Sequence, residues 1–483
     1  MKILFVNAVA FLSEPIGTML LSAICRREGY DTKLAILSET NFIETVNSYQ
    51  PDVVAYSAMS ADIQTFIDAD KKLRSWMDGK GKKILRIMGG PHPTYSPEII
   101  DTMDLDLICQ GDGDAALPEV LRRFKEGKEG KAFKDIPNIG LTVKGAENKE
   151  LFSDLDSLPP ANRDDFYEAA PYVRQSGLRS FFAGRGCPFA CTYCFNHAFN
   201  QMFKGGGKLL RRRSVDHLLD EIEYTIKKYP PVRLIRFGDD VFTYSADAWL
   251  KEFAIKYKKR INLPFYCLMR SNTLKENVAK LLAEAGCQSL CMAIESGSAP
   301  VRQKLMRNLP DKLVLNSFDI ARKYGLRTYS NTMFGVPGIS LEEDMVSLDF
   351  VRRLKPTAPT FGILCPYPGT KIWKDAIEDG HLDVDTPTTT RYQNLSVLKS
   401  YTQREKEIQA KMAYLGTLYV YAPSFLLPFL RFLMRGKFPV GLANRIGLTH
   451  THYRVATRIF PQSIPRSPKM FMQLVRDTFK IFG

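Results

Sequence analysis

Short apolar stretches alternate with amphipathic ones along the first quarter of the chain. Residues 2–9, 32–37, 53–59, 84–88 and 105–109 read as buried strands. Between the first two, Ile16, Met19, Leu20, Ala23 and Ile24 fall at i, i+3, i+4, i+7 and i+8, one face of a helix. The rhythm returns from residue 178 to about 370, with strands predicted at 179–183, 234–237, 265–269, 289–294, 327–334 and 360–364. Val215, Leu218, Leu219, Ile222 and Ile226 line the helix after Ser214, a good amino-terminal cap. Repeated β-α units of this kind predict an α/β chain of parallel sheets, with ligands at the carboxyl ends of the strands.

The pattern divides the chain into a Rossmann-like domain at 1–127, a linker at 128–177, a second β-α core at 178–370 and a mostly helical region at 371–483. Within the linker, residues 131–150 suit a short hairpin. Prolines make 154–160 read as extended chain. Between Lys411 and Arg431 run 19 uncharged residues, MAYLGTLYVYAPSFLLPFL, nearly the length of a membrane span. Pro423 and Pro428 interrupt the helical bonding, and three tyrosines and a glycine dilute the apolarity, so the expectation is that it does not span.

Composition adds few surprises. A chain of 483 residues is too long for one core, and 45% hydrophobic with 25% charged residues is ordinary for a globular protein. Nine cysteines, three of them clustered, do not form a secreted disulfide framework, and the first residues lack a signal-peptide core, so a cytoplasmic location is expected. The formal charge of +15 is concentrated late: residues 431–483 hold ten Lys or Arg against the single acidic Asp477. Apolar Phe432, Leu433, Phe438, Val440, Leu442 and Ile446 are interleaved with it. No nucleic-acid module accompanies the charge, so no nucleic-acid partner is expected. Two readings stay open: a helical cap with a solvated basic rim, or peripheral attachment to an anionic membrane.

The chemistry gathers at Cys187, Cys191 and Cys194, three thiols within eight residues. With His197 they match the four ligands of a Cys3His zinc site. They also match plain buried thiols, or an iron-sulfur cluster, which usually takes four cysteines and here would leave one iron open.

The CxxxCxxC spacing, with an aromatic before the last cysteine, resembles the signature of radical S-adenosylmethionine enzymes. In that family the open iron of a 4Fe-4S cluster chelates S-adenosylmethionine, whose cleavage yields a 5'-deoxyadenosyl radical. The resemblance implies a partial six-strand barrel and assigns the strand ends in order. Gly238-Asp239-Asp240 stands where the methionine amino group is held, the contact being open between Asp239 and Asp240. Arg270 ends the third strand, and Glu295-Ser296-Gly297 matches the segment tied to ribose and methionine. Gly335 and Pro337 lie in an adenine-side loop, and residues 366–370 close the sixth strand.

The first domain resembles the cobalamin-binding domain ahead of many such cores. Ser57 ends its third strand, GGPHPT (Gly89, Gly90, His92, Thr94) follows the fourth, and GDGD (Gly111, Gly113) the fifth. These are the implied cofactor-binding positions. The DxHxxG motif that ligates cobalt elsewhere is absent, so His92 is expected to be a loop contact or a solvated side chain.

The resemblance implies a cobalamin-dependent C-methyltransferase acting on a small hydrophobic substrate and needing an external low-potential electron donor. The anaerobic magnesium-protoporphyrin ester cyclase has the same domain order, which keeps an oxidative or ring-forming outcome as the alternative. A cofactor sensor without turnover is the alternative of another class. The catalytic residue is not identified by the sequence.

Overall fold

The computed structural model describes residues 1–10, 14–387 and 395–461. They form two compact units: residues 1–175 with 198–213, and residues 176–197 with 214 onward.

The first unit holds a sheet of six strands: β1 (Lys2–Asn7), β2 (Asp31–Ile36), β3 (Val53–Ser57), β4 (Leu85–Gly89), β5 (Leu107–Cys109) and β6 (Ile139–Gly140). Their order is β2-β1-β3-β4-β5-β6, parallel throughout except for the antiparallel β5–β6 edge. The first five strands repeat the flavodoxin-like order, so the chain reverses direction across the sheet between β1 and β3, where such folds bind ligands. Leu4, Val6, Val54, Tyr56 and Met88 share a core with Val46, Phe66 and Leu73 from the covering helices. The helix Ile16–Arg27 forms where its periodicity predicts.

The predicted hairpin at 131–150 reduces to β6 and one bridge between Gly140 and Ala146. Residues 128–175 also cluster with the first unit, whereas the sequence suggests a connector. The cause is a buried polar anchor. Asp165 accepts hydrogen bonds from Ser22 (2.8 Å), Thr32 (2.8 Å) and Arg26 (2.5 Å), while Arg163, fully buried, lies 3.3 Å from the Glu14 carboxylate. Residues 198–213 belong here as well: Phe203 stacks on Phe199 at 4.4 Å, and Arg211 pairs with Asp112.

The second unit is a run of six parallel strands in chain order: β7 (Leu178–Phe181), β8 (Leu234–Phe237), β9 (Phe265–Met269), β10 (Cys287–Met292), β11 (Arg327–Phe334) and β12 (Ala358–Ile363). The sheet does not close, so it is a partial barrel of the (β/α)6 kind. Between strands and outer helices lies an aromatic core in which the Phe237 ring meets Phe242, Phe253, Tyr257 and Phe265 at 4.7 to 6.3 Å. The helix Val215–Lys228 buries Val215, Leu218, Leu219 and Ile222 against this core, each worth about 1.5 to 3 kcal/mol as an upper estimate, and Ser214 caps it by accepting from the His217 amide.

The helix Gln403–Tyr421 opens with a capping box between Thr402 and Glu405 and packs along β12; the chain breaks at Pro423, as expected. Helices Leu427–Arg435 and Val440–Arg454 follow. Ile459 and Phe460 then reach the barrel floor, where the Ile459 carbonyl accepts from Ser289 at the start of β10. The cap reading thus holds for residues 403–460. The remainder of the tail, from 462, lies outside the described residues. Among those described, no helix is long and apolar enough to cross a membrane.

Candidate functional site

In the second unit the three cysteines occupy the irregular stretch after β7. Cys187 and Cys191 are buried and Cys194 is half-buried; none is in a disulfide. Burial and neighbouring acidic groups push the Cys194 thiol up to about 12, and burial raises Cys187 as well. Thiols so placed ionise when a cation compensates them. Two guanidinium groups already face the second thiol: Arg270 donates to Cys191 Sγ at 3.3 Å, and Arg307 approaches it at 3.9 Å. Among the described residues no three His, Cys, Asp or Glu converge on one point, as a mononuclear zinc site requires, and His197 does not complete a Cys3His set. Thiolates that each hold a different iron need no such convergence.

The strand ends surround this stretch. Asp239, after β8, accepts from the backbone amides of Ala183 (3.0 Å) and Gly184 (2.6 Å), so its carboxylate fixes the entry to the cysteine run. Asp240 keeps solvent exposure yet is closely surrounded by protein, beside Cys187 and Cys194. That crowding raises its carboxyl above the usual range against a hydrogen bond from Asn196. Arg270, after β9, stacks on the Phe189 ring at 4.0 Å and donates to the Arg307 carbonyl at 2.7 Å.

Glu295, after β10, is buried with φ +67°, a conformation that costs a non-glycine residue on the order of 1 to 3 kcal/mol. Its carboxylate accepts from the Tyr193 hydroxyl (2.9 Å) and lies 3.7 Å from Arg307, which also donates to Tyr193 (2.9 Å). Burial still raises its carboxyl above the usual value. Ser296 is consumed in packing, sharing a hydrogen bond with Ser347 and accepting from the Ser298 amide. The Gly335–Gly338 loop is tied down at three points. Asp344 accepts from the Gly335 amide, Tyr401 donates to the Val336 carbonyl (2.7 Å), and Lys304 donates to the Pro337 carbonyl (2.6 Å).

In the first unit, Ser57 and Gly89 end β3 and β4. Gly90 has φ +94°, and a Cβ there would stand 2.9 Å from the Ala58 carbonyl oxygen, so only glycine fits. His92 follows; its amide donates to the Ala58 carbonyl and its Nδ1 shares a hydrogen bond with Ser60 (3.1 Å), with burial lowering its pKa. Thr94 joins two loops by donating to Gly90 and accepting from the Gly111 amide (3.1 Å). Gly111 (φ +83°) lies under the Phe203 ring, and Gly113 near Leu21 and Cys109. His92 and Thr94 therefore shape the loops rather than present free groups.

Sequence reasoning missed Arg307 and Asn7, and marked Tyr193 only as the aromatic before the last cysteine, without its bond to Glu295. Arg307 is linked to the site only by tertiary contacts. Asn7, at the carboxyl end of β1 beside the topological reversal, has a buried side-chain oxygen without a hydrogen-bond partner among the described residues. A polar residue ending an apolar strand was the available signal. Ser271 Oγ and Asn272 Oδ1, next to Arg270 in the chain, and Thr332 Oγ1, on the strand bridged to Glu295, are likewise buried without a hydrogen-bond partner among the described residues. The donor sets thus fit the expected groups in both units: three compensable thiols with polar strand ends in one, glycine loops beside an unsatisfied amide in the other.

Comparison with known proteins agrees with this geometry. The Radical SAM superfamily matches residues 181–351, and the B12 binding domain matches residues 3–121. An uncharacterized methyltransferase of Pyrococcus horikoshii is 25% identical over 85% of this chain and 89% of its own length. The cytidylyl-2-hydroxyethylphosphonate methyltransferase of Streptomyces wedmorensis is 24% identical over 79% and 83%. Among solved structures, the cobalamin-dependent S-adenosylmethionine radical enzyme OxsB superposes with a TM-score of 0.71 over 99% of this chain and 83% of its own, at 14% identity, a likeness of fold.

Proposed function

Because the chain belongs to the cobalamin-binding radical S-adenosylmethionine enzymes, we propose that it is a C-methyltransferase acting on an unactivated carbon of a small hydrophobic molecule. The observation that carries this reading is the cysteine run flanked by Asp240, Arg270 and Glu295 at the ends of consecutive strands, with Arg307, from the loop after the helix Ala299–Lys304, reaching Cys191 and Glu295. The methyltransferase relatives support the choice of reaction.

Once bound, the 4Fe-4S cluster, S-adenosylmethionine and cobalamin supply the electron, the radical and the methyl carrier. The protein binds and orients them. Cys187, Cys191 and Cys194 each hold one iron, and Arg270 steadies Cys191. Asp240 takes the methionine amino group, because Asp239 is already committed to the Ala183 and Gly184 amides. Glu295 with Tyr193 and Arg307 serves the ribose and carboxylate side, Ser296 holds that segment in place, and the Gly335–Pro337 loop borders adenine. In the first unit Asn7, Ser57, Gly89, Gly90, Gly111 and Gly113 border cobalamin, with His92 and Thr94 fixing their loops. An external low-potential donor provides the electron, and peripheral membrane contact through the basic carboxyl-terminal region suits a hydrophobic substrate.

The test is anaerobic reconstitution with iron, sulfide, cobalamin and dithionite, followed by comparative mass spectrometry of metabolites and lipids from cells with and without the gene. Formation of 5'-deoxyadenosine and a metabolite heavier by one methylene are expected. Loss of hydrogens instead would mark a ring-forming or oxidising enzyme, and absence of 5'-deoxyadenosine would mark a sensor.

A further inference from the structure

The helix Leu427–Arg435 is apolar on both sides. One side, Leu427, Leu430, Leu433 and Met434, packs into the cap against the helix Gln403–Tyr421. The opposite side, which a helix lying on a protein would normally make polar, carries Phe429 (57% exposed) and Phe432 (70% exposed). Phe425 (78% exposed) stands one turn earlier, at the i, i+4, i+7 spacing of one stripe. Exposing three phenylalanines in one stripe forgoes a large amount of apolar burial and marks a surface with a partner. Within the next helix, Val440–Arg454, Leu442, Ile446 and Tyr453 are exposed as well, and Ile446 and Tyr453 line a shallow groove with Arg445, Thr449 and His450.

The charge around these residues selects the partner. From Ile408 to Arg476 the sequence holds no Asp or Glu at all. Arg431 is neutralised by Asp349 and Arg435 approaches Glu342, but Lys437, Arg445 and Arg458 have no ion pair among the described residues. A surface with aromatic and aliphatic side chains outward and unpaired cations beside them is complementary to an anionic bilayer: apolar groups enter the headgroup boundary while basic groups meet lipid phosphates. Nucleic acid would use the cations and the rings but would leave the exposed aliphatic Leu426, Leu442 and Ile446 in water, whereas a bilayer takes up rings and aliphatic groups alike.

We propose that Phe425, Phe429 and Phe432, with Lys437 and Arg445, form a docking surface by which the enzyme rests on an anionic lipid bilayer without crossing it. The proposal locates the membrane contact of the functional reading in the folded cap rather than in the tail beyond residue 461. It rests on the hydrophobic-substrate reading only for its purpose, since attachment and turnover are measured separately.

The experiment uses the full chain in three forms: unaltered, F425S/F429S/F432S, and F429W. The unaltered protein should co-sediment with phosphatidylglycerol/phosphatidylcholine vesicles at low salt and bind pure phosphatidylcholine vesicles at least tenfold more weakly. The triple variant should lose at least tenfold of that binding while keeping its circular dichroism, cluster content and 5'-deoxyadenosine formation. F429W should give blue-shifted fluorescence on adding anionic vesicles, relative to the unaltered chain, and quenching by brominated lipid. Full binding by the triple variant would assign attachment to another surface and overturn the proposal. So would no vesicle binding, a dimer that the triple variant abolishes, or binding to nucleic acid in preference to anionic vesicles. Loss of 5'-deoxyadenosine in all three forms would count against the catalytic reading and leave the vesicle result standing.

Discussion

The hydroxyl of Tyr193, inside the cysteine run, donates to the carboxylate of Glu295 at the end of β10 across 2.9 Å. Arg307 bridges the same two groups, so the cysteine run and the fourth strand end are joined by a buried, charge-assisted network. A buried network of this kind is costly when partly satisfied. Removing the Tyr193 hydroxyl leaves Glu295 with one partner fewer. Tyr193→Phe should retain the three thiols and its iron but bind S-adenosylmethionine about tenfold to a hundredfold more weakly, the equivalent of about 1.5 to 3 kcal/mol for a hydrogen bond to a charged group. Equilibrium binding to the reconstituted protein measures it; unchanged affinity would show that the network only braces the loop.

Replacing Cys187, Cys191 or Cys194 by Ala should abolish the cluster absorbance and S-adenosylmethionine cleavage together, because each thiolate would hold one iron. Cys25, Cys109, Cys267, Cys287, Cys291 and Cys365 should tolerate Ala as far as cluster assembly is concerned. Iron and sulfide analysis after anaerobic reconstitution decides, and full iron content in any one of the first three variants would refute the triad.

The two neighbouring aspartates should separate by readout. Asp240→Asn is expected to weaken S-adenosylmethionine binding with little change in melting temperature. Asp239→Asn loses a carboxylate that accepts two backbone amides, so it should lower stability by about 1 to 3 kcal/mol and impair cluster loading. The reverse pattern in calorimetry and ligand titration would exchange their roles.

Strand positions at β8, β9 and β11 were legible to the residue, because short apolar and aromatic runs bounded by polar and turn-forming residues leave little choice of bounds. The anchoring of residues 128–175 was not legible. Arg163, Asp165 and Glu14 read locally as a solvated charged stretch, and only their burial together across some 150 residues of sequence reveals a core. The same limit hid Arg307, which meets Cys191 and Glu295 only in the fold. Conversely, the glycine loops were visible, yet Thr94 and Ser296 proved to be structural ties because a hydroxyl's partners cannot be read from a motif.

Asp344 provides a pH test. Burial raises its carboxyl from 3.8 to about 7, while it accepts from the Gly335 amide (3.2 Å) and the Gln409 amide (3.0 Å). With the folded-state value above the unfolded one, the native form holds a proton that the unfolded chain has released. Stability from this group is therefore full below pH 4 and is lost as pH rises toward 7, by on the order of 4 kcal/mol. Asp344→Asn keeps an acceptor oxygen without the charge. It should leave the melting temperature near the parent's at pH 4 and raise it at pH 8; an equal difference at both would remove the titration argument.

The last prediction concerns cobalt. His92 is the one histidine of the first unit, and the DxHxxG context that supplies a cobalt ligand elsewhere is absent. Its ring is half-buried, its Nδ1 is engaged with Ser60, and its amide is fixed to the Ala58 carbonyl, so its place is set by the loop that Gly90 makes possible. Bound cobalamin should therefore lack a histidine from this unit on the lower face of cobalt. His92→Ala should bind cobalamin with the same ultraviolet-visible spectrum and the same Co(II) paramagnetic resonance spectrum as the parent. Gly90→Ala, whose new Cβ would press on the Ala58 backbone, should lose most cobalamin binding while the separate iron site still loads. Histidine nitrogen hyperfine coupling in the parent that disappears in His92→Ala would prove the imidazole to be a ligand, and the glycine-loop reading of this unit would have to be replaced by one in which that loop swings to bring His92 onto the metal.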